Sequence, residues 1–139
     1  MFQRILVPID LDEQSSWSKV FPVATKLRAT FDARLTLMTV ITDRDAMSEA
    51  QWTSIAYGAL VDRTTTRLST LARDLLGEEA EIRVGSGSVY GAILDAASDI
   101  EADLIVLASH RPAMRTFLLG ANAERVARHA RCSVMIVRE

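Results

Sequence analysis

The sequence predicts a parallel α/β domain, and three observations support this fold class. Five short runs rich in β-branched residues alternate with segments that carry apolar residues at helical spacing. The runs at residues 5–7, 104–108 and 134–137 are apolar throughout, which is typical of strands covered on both faces of a sheet. No repeat, low-complexity tract or linker interrupts the 139 residues, so we expect one domain over residues 1–139.

The amino-terminal half predicts two strands and two helices. Residues 5–7 form an apolar run that stops at Pro8, and residues 35–41 form a second strand. The helix between them has an apolar stripe made of Trp17, Val20, Phe21, Ala24, Leu27 and Phe31. A longer helix ends near Leu76, with Gly77 as its C-cap, and its stripe is Val61, Leu68, Leu71, Ala72 and Leu75. Residues 43–58 fit either an extension of this helix or a flap over the carboxyl edge of the sheet.

The carboxyl-terminal half predicts three more strands, at residues 82–84, 104–108 and 134–137. Ser88 is placed to cap the helix after the third strand. The last helix has a stripe made of Ala123, Val126, Ala127 and Ala130. Strands that alternate with helices in this way favour a parallel sheet with right-handed crossovers.

Composition restricts the class of partner and the compartment. The formal net charge of -2 gives no reason to expect a nucleic-acid partner. No apolar run is long enough to span a membrane, and Asp10 and Asp12 interrupt any signal-peptide-like core near the start. Cys132 is the single cysteine and can form no internal disulfide, which is typical of a reducing cytoplasm. We therefore expect a cytoplasmic protein.

Two loops are the candidate ligand site, because ligands of open α/β sheets bind beyond the carboxyl ends of the strands. The loop after the first strand contains Pro8, Ile9 and Asp10. The loop after the fourth strand spans residues 109–120 and begins with Ser109, His110 and Arg111. If the first and fourth strands are neighbours, both loops face one crevice.

The second loop has features that favour an anion. Gly120 lies where the last helix opens, and backbone amides at a helix start attract phosphate. Asn122, Arg111 and Arg115 add side-chain donors. Asp10 would accept hydrogen bonds from a ribose or base, or hold a metal that bridges phosphates. Structural roles are the alternative to ligand binding at these two positions. Gly120 fits a helix cap, and Asp10 fits a turn or N-cap residue.

The remaining chemically reactive residues favour structural roles. His110 has no serine or cysteine nucleophile paired with it in a recognised motif. His129 falls in the last turn of its helix, where the dipole stabilises an imidazolium. Cys132 is interpreted as a small buried hydrophobe rather than a redox thiol.

Three stretches of the chain resemble the universal stress protein (UspA-like) family, and the resemblance covers essentially the whole chain. They are ILVPID at residues 5–10, ADLIVLASH at residues 102–110 and the tail LLGANAERVARHARCSVMIVR at residues 118–138. The tail and the SHRP sequence at residues 109–112 look most like the UspF/UspG-type subgroup.

The resemblance implies a doubly wound fold, with strand order 3-2-1-4-5 and helices on both faces of the sheet. It also implies an adenine-nucleotide site for ATP, ADP or AMP, with or without Mg²⁺. In such a site Asp10 contacts the nucleoside and the strand end near Val40 flanks the adenine. The loop after the fourth strand and the start of the next helix then surround the phosphates.

The sequence departs from the family's phosphate-binding pattern, Gly-x2-Gly-x9-Gly-Ser/Thr. Ala108 occupies the first glycine position, and the second is Arg111 or is missing. Gly120 is retained, but Ala121 replaces the hydroxyl residue after it. Alanine hinders close backbone approach, and Ala121 removes a donor, whereas Arg111 and Asn122 add donors.

These observations leave three hypotheses open. The first is a stress-response regulator that binds an adenine nucleotide. The second is an interaction module whose site has degenerated and holds no nucleotide. The third is a very slow ATPase, or a protein that is autophosphorylated or adenylylated. No residue is assigned a catalytic role.

A homodimer is expected in each case. The implied strand order puts the last strand, Val134, Met135, Ile136 and Val137, at a sheet edge without a guarding proline or inward charge. Family members dimerise through this strand, and an antiparallel pairing about a two-fold axis is the natural arrangement.

Overall fold

A computed structural model of the chain describes residues 1–49, 53–77, 80–109 and 122–138. Five strands and five α-helices alternate within these residues. The strands are β1 (Arg4–Pro8), β2 (Arg34–Ile41), β3 (Glu81–Ser86), β4 (Leu104–Ala108) and β5 (Ser133–Val137). The helices are α1 (Val20–Phe31), α2 (Asp43–Glu49), α3 (Ser54–Leu76), α4 (Val89–Asp99) and α5 (Ala123–His129), with a 3-10 helix at Gln14–Ser16.

The strands form one parallel sheet in the order β3-β2-β1-β4-β5, as expected. The central strand β1 pairs with β2 on one side and with β4 on the other. From β1 the chain adds β2 and β3 on one side of the sheet, and it then returns to add β4 and β5 on the other side of β1. The carboxyl ends of β1 and β4 flank the point where this direction reverses, which is where open α/β sheets bind ligands.

Each face of the sheet buries its own apolar cluster. Ile5 and Val7 of β1 point into a cluster with α1 and α3, whereas Leu6 points into a cluster with α4 and α5. Successive strand side chains alternate between faces, so a strand that is apolar at every position is covered on both sides. All three of these side chains are fully buried.

Helix ends follow their sequence signals in most places. Gly77 caps α3 with φ of 85° and donates its N–H to the Arg73 carbonyl, as predicted. Ser88 is the N-cap of α4, although its hydroxyl makes no capping hydrogen bond. Asn122 is the N-cap of α5, one position before the helix rather than within its first turn.

Three sequence-based details were wrong. Trp17 lies before α1, because a 3-10 turn separates β1 from the helix. Leu75 is half exposed, and Leu76 takes the buried position at the end of α3. β3 is longer than residues 82–84, since its ladder with β2 runs from Glu81 to Ser86.

The part of the chain that the structure describes contains no helix long and apolar enough to cross a membrane.

Candidate functional site

A cleft of about 590 Å³ opens at the carboxyl edge of the sheet. Its walls come from the loop after β1, the end of β2, helices α2 and α3, and the starts of α4 and α5. It is lined by Asp10, Leu11, Asp12, Thr39, Val40, Ile41, Thr42, Arg44, Asp45, Leu60, Thr64, Arg67, Val89 and Asn122. Distant parts of the sequence thus meet at the reversal point of the sheet.

The loop after β1 is fixed to its neighbours through the backbone of Ile9 and Asp10. The N–H of Ile9 donates to the Met38 carbonyl at 2.8 Å, and the Ile9 carbonyl accepts from Thr39 Oγ1 at 3.0 Å. The N–H of Asp10 donates to Ser16 Oγ at 2.9 Å, and Ser16 Oγ donates to the Asp10 carbonyl at 3.0 Å. This short segment is therefore held by β2 on one side and by the 3-10 helix on the other.

The carboxylate of Asp10 takes part in a turn as well as lining the cleft. Its Oδ1 accepts from the N–H of Asp12 at 3.0 Å, and the Asp10 carbonyl accepts from the N–H of Glu13 at 3.0 Å. Aspartate commonly bonds the backbone two residues ahead in this way. The turn role and the position at the cleft therefore occur together in one residue.

Arg67 joins helix α3 to the same loop. Its Nη2 donates to the Leu11 carbonyl at 3.3 Å and to Asp12 Oδ1 at 3.1 Å. More than half of each charged side chain of this pair is exposed, and exposed pairs add little stability. The contact closes one wall of the cleft without anchoring the fold.

Helix α2 begins at the cleft with a reciprocal capping arrangement. The N–H of Thr42 donates to Asp45 Oδ2 at 3.0 Å, and the N–H of Asp45 donates to Thr42 Oγ1 at 3.1 Å. Arg44 lies between these two residues and also lines the cleft. This short helix forms the outer wall beyond β2.

Three of the residues that the sequence singled out meet in the cleft, namely Asp10, Val40 and Asn122. They come from the β1 loop, the end of β2 and the N-cap of α5, so they are far apart in sequence. Val40 is buried, with 5% of its surface exposed.

The other predicted residues lie elsewhere or outside the described residues. Ile9 and Ala108 are buried in the core, Pro8 ends β1, and Ser109 follows β4 and donates its N–H to the Val137 carbonyl. His110, Arg111, Arg115, Gly120 and Ala121 fall outside the described residues.

Sequence reasoning missed most of the wall that α2 and α3 provide. Thr64 and Arg67 are spaced three residues apart, which puts both on one helix face, but that spacing does not show which face looks into a cleft. Each alternative for residues 43–58 holds for part of the described stretch: α2 (Asp43–Glu49) lines the cleft through Arg44 and Asp45, whereas residues 54–58 extend α3.

The lining of the cleft is rich in groups that hydrogen-bond. It combines three aspartates and two arginines with threonine hydroxyls, and its described residues include no histidine, cysteine or lysine. Among the described residues, no group of three histidine, cysteine, aspartate or glutamate side chains is arranged to hold a metal ion.

His129 and Cys132 lie at a separate hollow, between the end of α4 and the start of β5. Burial raises the pKa of the Cys132 thiol, and the Asp103 carboxylate adds to this effect, while a hydrogen bond from the backbone of Cys132 opposes it. A raised pKa makes the thiolate scarcer at neutral pH, which agrees with a structural role. The side chain is half-buried rather than buried as the sequence predicts.

A five-stranded parallel sheet in this order, with a polar cleft at its carboxyl edge, defines the doubly wound α/β fold class. Residues 1–138 match the model of the universal stress protein family. The chain belongs to the universal stress protein family.

Relatives and solved structures agree with this assignment. Universal stress protein G of Salmonella typhimurium (strain LT2) is 29% identical over 143 residues, covering 99% of this chain and 100% of the relative. A universal stress protein solved in complex with cAMP has a TM-score of 0.62 at 23% identity, covering 99% of this chain and 97% of its own. The Archaeoglobus fulgidus universal stress protein in complex with dAMP has a TM-score of 0.61 at 16% identity, covering 96% of each chain. The two structures support the fold.

Proposed function

We propose that this protein binds an adenine nucleotide in the cleft at the carboxyl ends of β1 and β4 and acts as a stress-response regulator. One observation carries the proposal: Asp10, Val40 and Asn122, from three separate elements, line one cleft of about 590 Å³. The family resemblance assigns Asp10 and the strand end near Val40 to the nucleoside. The resemblance assigns the start of the last helix to the phosphates, and Asn122 belongs to that helix start.

The solved relatives add independent support for the ligand class. Two universal stress proteins with this fold were solved with cAMP and with dAMP. Both ligands are adenine nucleotides with a single phosphate. The glycine pattern that surrounds a triphosphate is incomplete in this chain, so a monophosphate such as AMP needs fewer of the missing contacts.

The proposed roles follow from the position of each residue. The Asp10 carboxylate accepts from ribose hydroxyls, the end of β2 at Val40 packs along the adenine, and the Asn122 side chain reaches a phosphate. In this proposal the phosphate-binding part of the site also includes Arg111, Arg115 and Gly120.

A regulatory role fits the lining better than fast catalysis does. A nucleophile with a neighbouring base is the usual mark of covalent catalysis, and the candidate bases in the described lining are aspartates already engaged in the wall: Asp12 pairs with Arg67, Asp45 caps α2 and Asp10 accepts from the Asp12 N–H. We propose that the protein works in the cytoplasm and changes its interactions when nucleotide binds.

Thermal unfolding with separate additions of MgATP, AMP and cAMP tests the proposal. At a ligand concentration of about 100 times Kd, binding to the folded state adds about 2.7 kcal/mol of stability and raises the melting temperature. Native mass spectrometry of the freshly purified protein gives a second readout through any nucleotide that copurifies.

Two variants locate the site. Asp10→Asn keeps an oxygen for the Asp12 N–H but removes the charge, so we expect weaker binding with an intact turn. Asp62→Asn changes an exposed acid of α3 outside the cleft and should bind as the wild type does. No shift with any of the three nucleotides at millimolar concentration would favour the degenerate interaction module, which the lost glycine at Ala108 and the lost hydroxyl at Ala121 suggest.

We also propose a homodimer that forms through β5. This strand ends the sheet of the described residues, and Ile136 presents a large apolar side chain that is 37% exposed. Strands at an open edge pair readily with another chain. A two-fold antiparallel pairing of β5 with its copy would cover Val134, Met135, Ile136 and Val137 together.

A further inference from the structure

The peptide group that joins Ile9 to Asp10 is held at both ends by side-chain hydroxyls. Thr39 Oγ1 of β2 donates to its carbonyl at 3.0 Å, and Ser16 Oγ of the 3-10 helix accepts from its N–H at 2.9 Å. The same Ser16 hydroxyl donates to the following carbonyl, that of Asp10, at 3.0 Å. This one peptide group next to the cleft is thus tied to two different elements.

Both hydroxyls are sheltered from water. Ser16 has 0% of its surface exposed and Thr39 has 4%. A buried hydroxyl that makes well-formed hydrogen bonds restricts its partner, because breaking the bond leaves a polar group unsatisfied away from solvent. The orientation of the Ile9–Asp10 peptide sets the direction in which the Asp10 side chain leaves the backbone.

We infer that Ser16 and Thr39 are positioning residues that hold the Asp10 carboxylate ready for a ligand in the cleft. This inference rests on the proposed function, since it needs a ligand that contacts Asp10. Neither hydroxyl serves as a catalytic group. The gain comes from preorganisation: a carboxylate already fixed in place loses less freedom when it binds than a mobile one does.

The turn bonds alone do not supply this restraint. The N–H groups of Asp12 and Glu13 bond to Asp10 from within the same loop, so they move with the loop. Ser16 and Thr39 connect the loop to the 3-10 helix and to the middle of the sheet. Removing either one loosens the Ile9–Asp10 peptide while the internal turn, the Ile9 N–H bond to Met38 and the Arg67 bond to Leu11 stay intact.

The test is a double-mutant cycle with AMP as the probe, followed by calorimetric titration of the folded protein. We expect Ser16→Ala to weaken AMP binding by about threefold to tenfold, the range that one lost hydrogen bond gives. In an Asp10→Asn background the same change should have almost no further effect, because Ser16 acts through the Asp10 carboxylate.

Thr39→Val provides a second route, since it keeps the volume of the side chain and removes only the hydroxyl. Thr36→Val is the matched control, because Thr36 is a buried threonine of the same strand, 5% exposed, that does not line the cleft. Both variants are expected to lower the melting temperature, but only Thr39→Val should weaken AMP binding. Because Thr39 itself lines the cleft, its effect counts as positioning only if the loss disappears in the Asp10→Asn background. If Ser16→Ala fails to fold, the Thr39→Val cycle with Asp10→Asn decides the question.

The outcomes separate this inference from the proposed function. A wild-type protein that binds none of the tested nucleotides overturns both. A wild-type protein that binds AMP, with Ser16→Ala and Thr39→Val binding equally well, overturns the positioning role alone. Equal losses for Ser16→Ala in the wild-type and Asp10→Asn backgrounds overturn it too, because they show an effect that bypasses Asp10.

Discussion

Cys132 shows how one residue's surroundings set its chemistry. Its thiol has a raised pKa, chiefly through burial, and a raised pKa lowers the fraction of reactive thiolate at a given pH. We expect Ellman's reagent to modify the native protein several-fold more slowly than it modifies N-acetylcysteine near neutral pH. The rate should climb with pH, with a midpoint above the ordinary thiol pKa.

The midpoint of that pH–rate curve distinguishes two causes of a slow reaction. A raised thiol pKa moves the midpoint to higher pH, whereas restricted access of the reagent slows the reaction without moving the midpoint. Unfolding the chain in guanidinium should return both rate and midpoint to those of N-acetylcysteine. A native midpoint at or below that of the reference thiol would contradict the raised pKa. Cys132 is the single cysteine of the sequence, so no second thiol confuses the measurement.

Residues of the cleft differed in how readily the sequence revealed them. Asp10 was accessible to prediction, because an acid directly after a buried strand falls at the ligand-binding edge of a parallel sheet. Arg67 and Ser16 were not, because their roles depend on contacts with the loop after β1. Helical periodicity identifies the buried side of α3 but cannot show that Arg67 on its other side reaches Leu11.

At the scale of elements, two glycines should respond in opposite ways to alanine. Gly58 lies within α3, and an added Cβ there meets no atom within 4 Å. Gly87 lies between β3 and α4 with φ of 97°, where an L side chain is strained. We expect Gly58→Ala to raise the free energy of unfolding by about 0.5–1 kcal/mol. Gly87→Ala should lower it by about 1–3 kcal/mol.

Urea unfolding followed by circular dichroism measures both changes. The two variants control for each other, because each adds the same methyl group at a site with no neighbouring atom in reach. The difference between them therefore isolates backbone conformation. Equal free energies of unfolding for the two variants would refute the argument.

Element boundaries were predicted well where a residue has one strong local preference. Gly77 marked the end of α3, and a positive φ of 85° explains why a glycine stands there. The start of α1 was placed too early, because Trp17 has helical spacing to Phe21 and stacks on its ring at 6.5 Å without belonging to the helix. Periodicity shows which residues face the same apolar surface. Residues in a 3-10 turn can face that surface too, so periodicity does not locate the first residue of the helix.

At the scale of the whole molecule, alternation of strands and helices sufficed for the fold class, but the strand order came from family resemblance. Local patterns such as residues 104–108 show that a strand is buried on both faces. These local patterns do not show which strands lie beside it. For example, β1 pairs with β4 although about a hundred residues separate the two strands in sequence. The cleft depends on that pairing, which is why only part of its lining was foreseen.

The proposed dimer predicts a specific effect of proline in β5. The Val137 carbonyl points inward, accepting from the N–H of Ser109, so the N–H of Ile136 points outward along the open edge. Ile136→Pro removes that outward donor and spares the ladder to β4, so we expect size-exclusion chromatography with light scattering to show half the wild-type mass.

Ile136→Val is the matched control, because it keeps the donor and a β-branched side chain and should remain dimeric. A charge at Met135 would be a poorer probe, since Met135 packs against the core cluster beneath α1 and α3, and its replacement would disturb the fold. Circular dichroism of Ile136→Pro establishes that the monomer is folded. A folded Ile136→Pro variant that keeps the wild-type mass would place the contact elsewhere, because it lacks an outward N–H group that a main-chain pairing along β5 uses. A monomeric wild type would remove the proposed dimer.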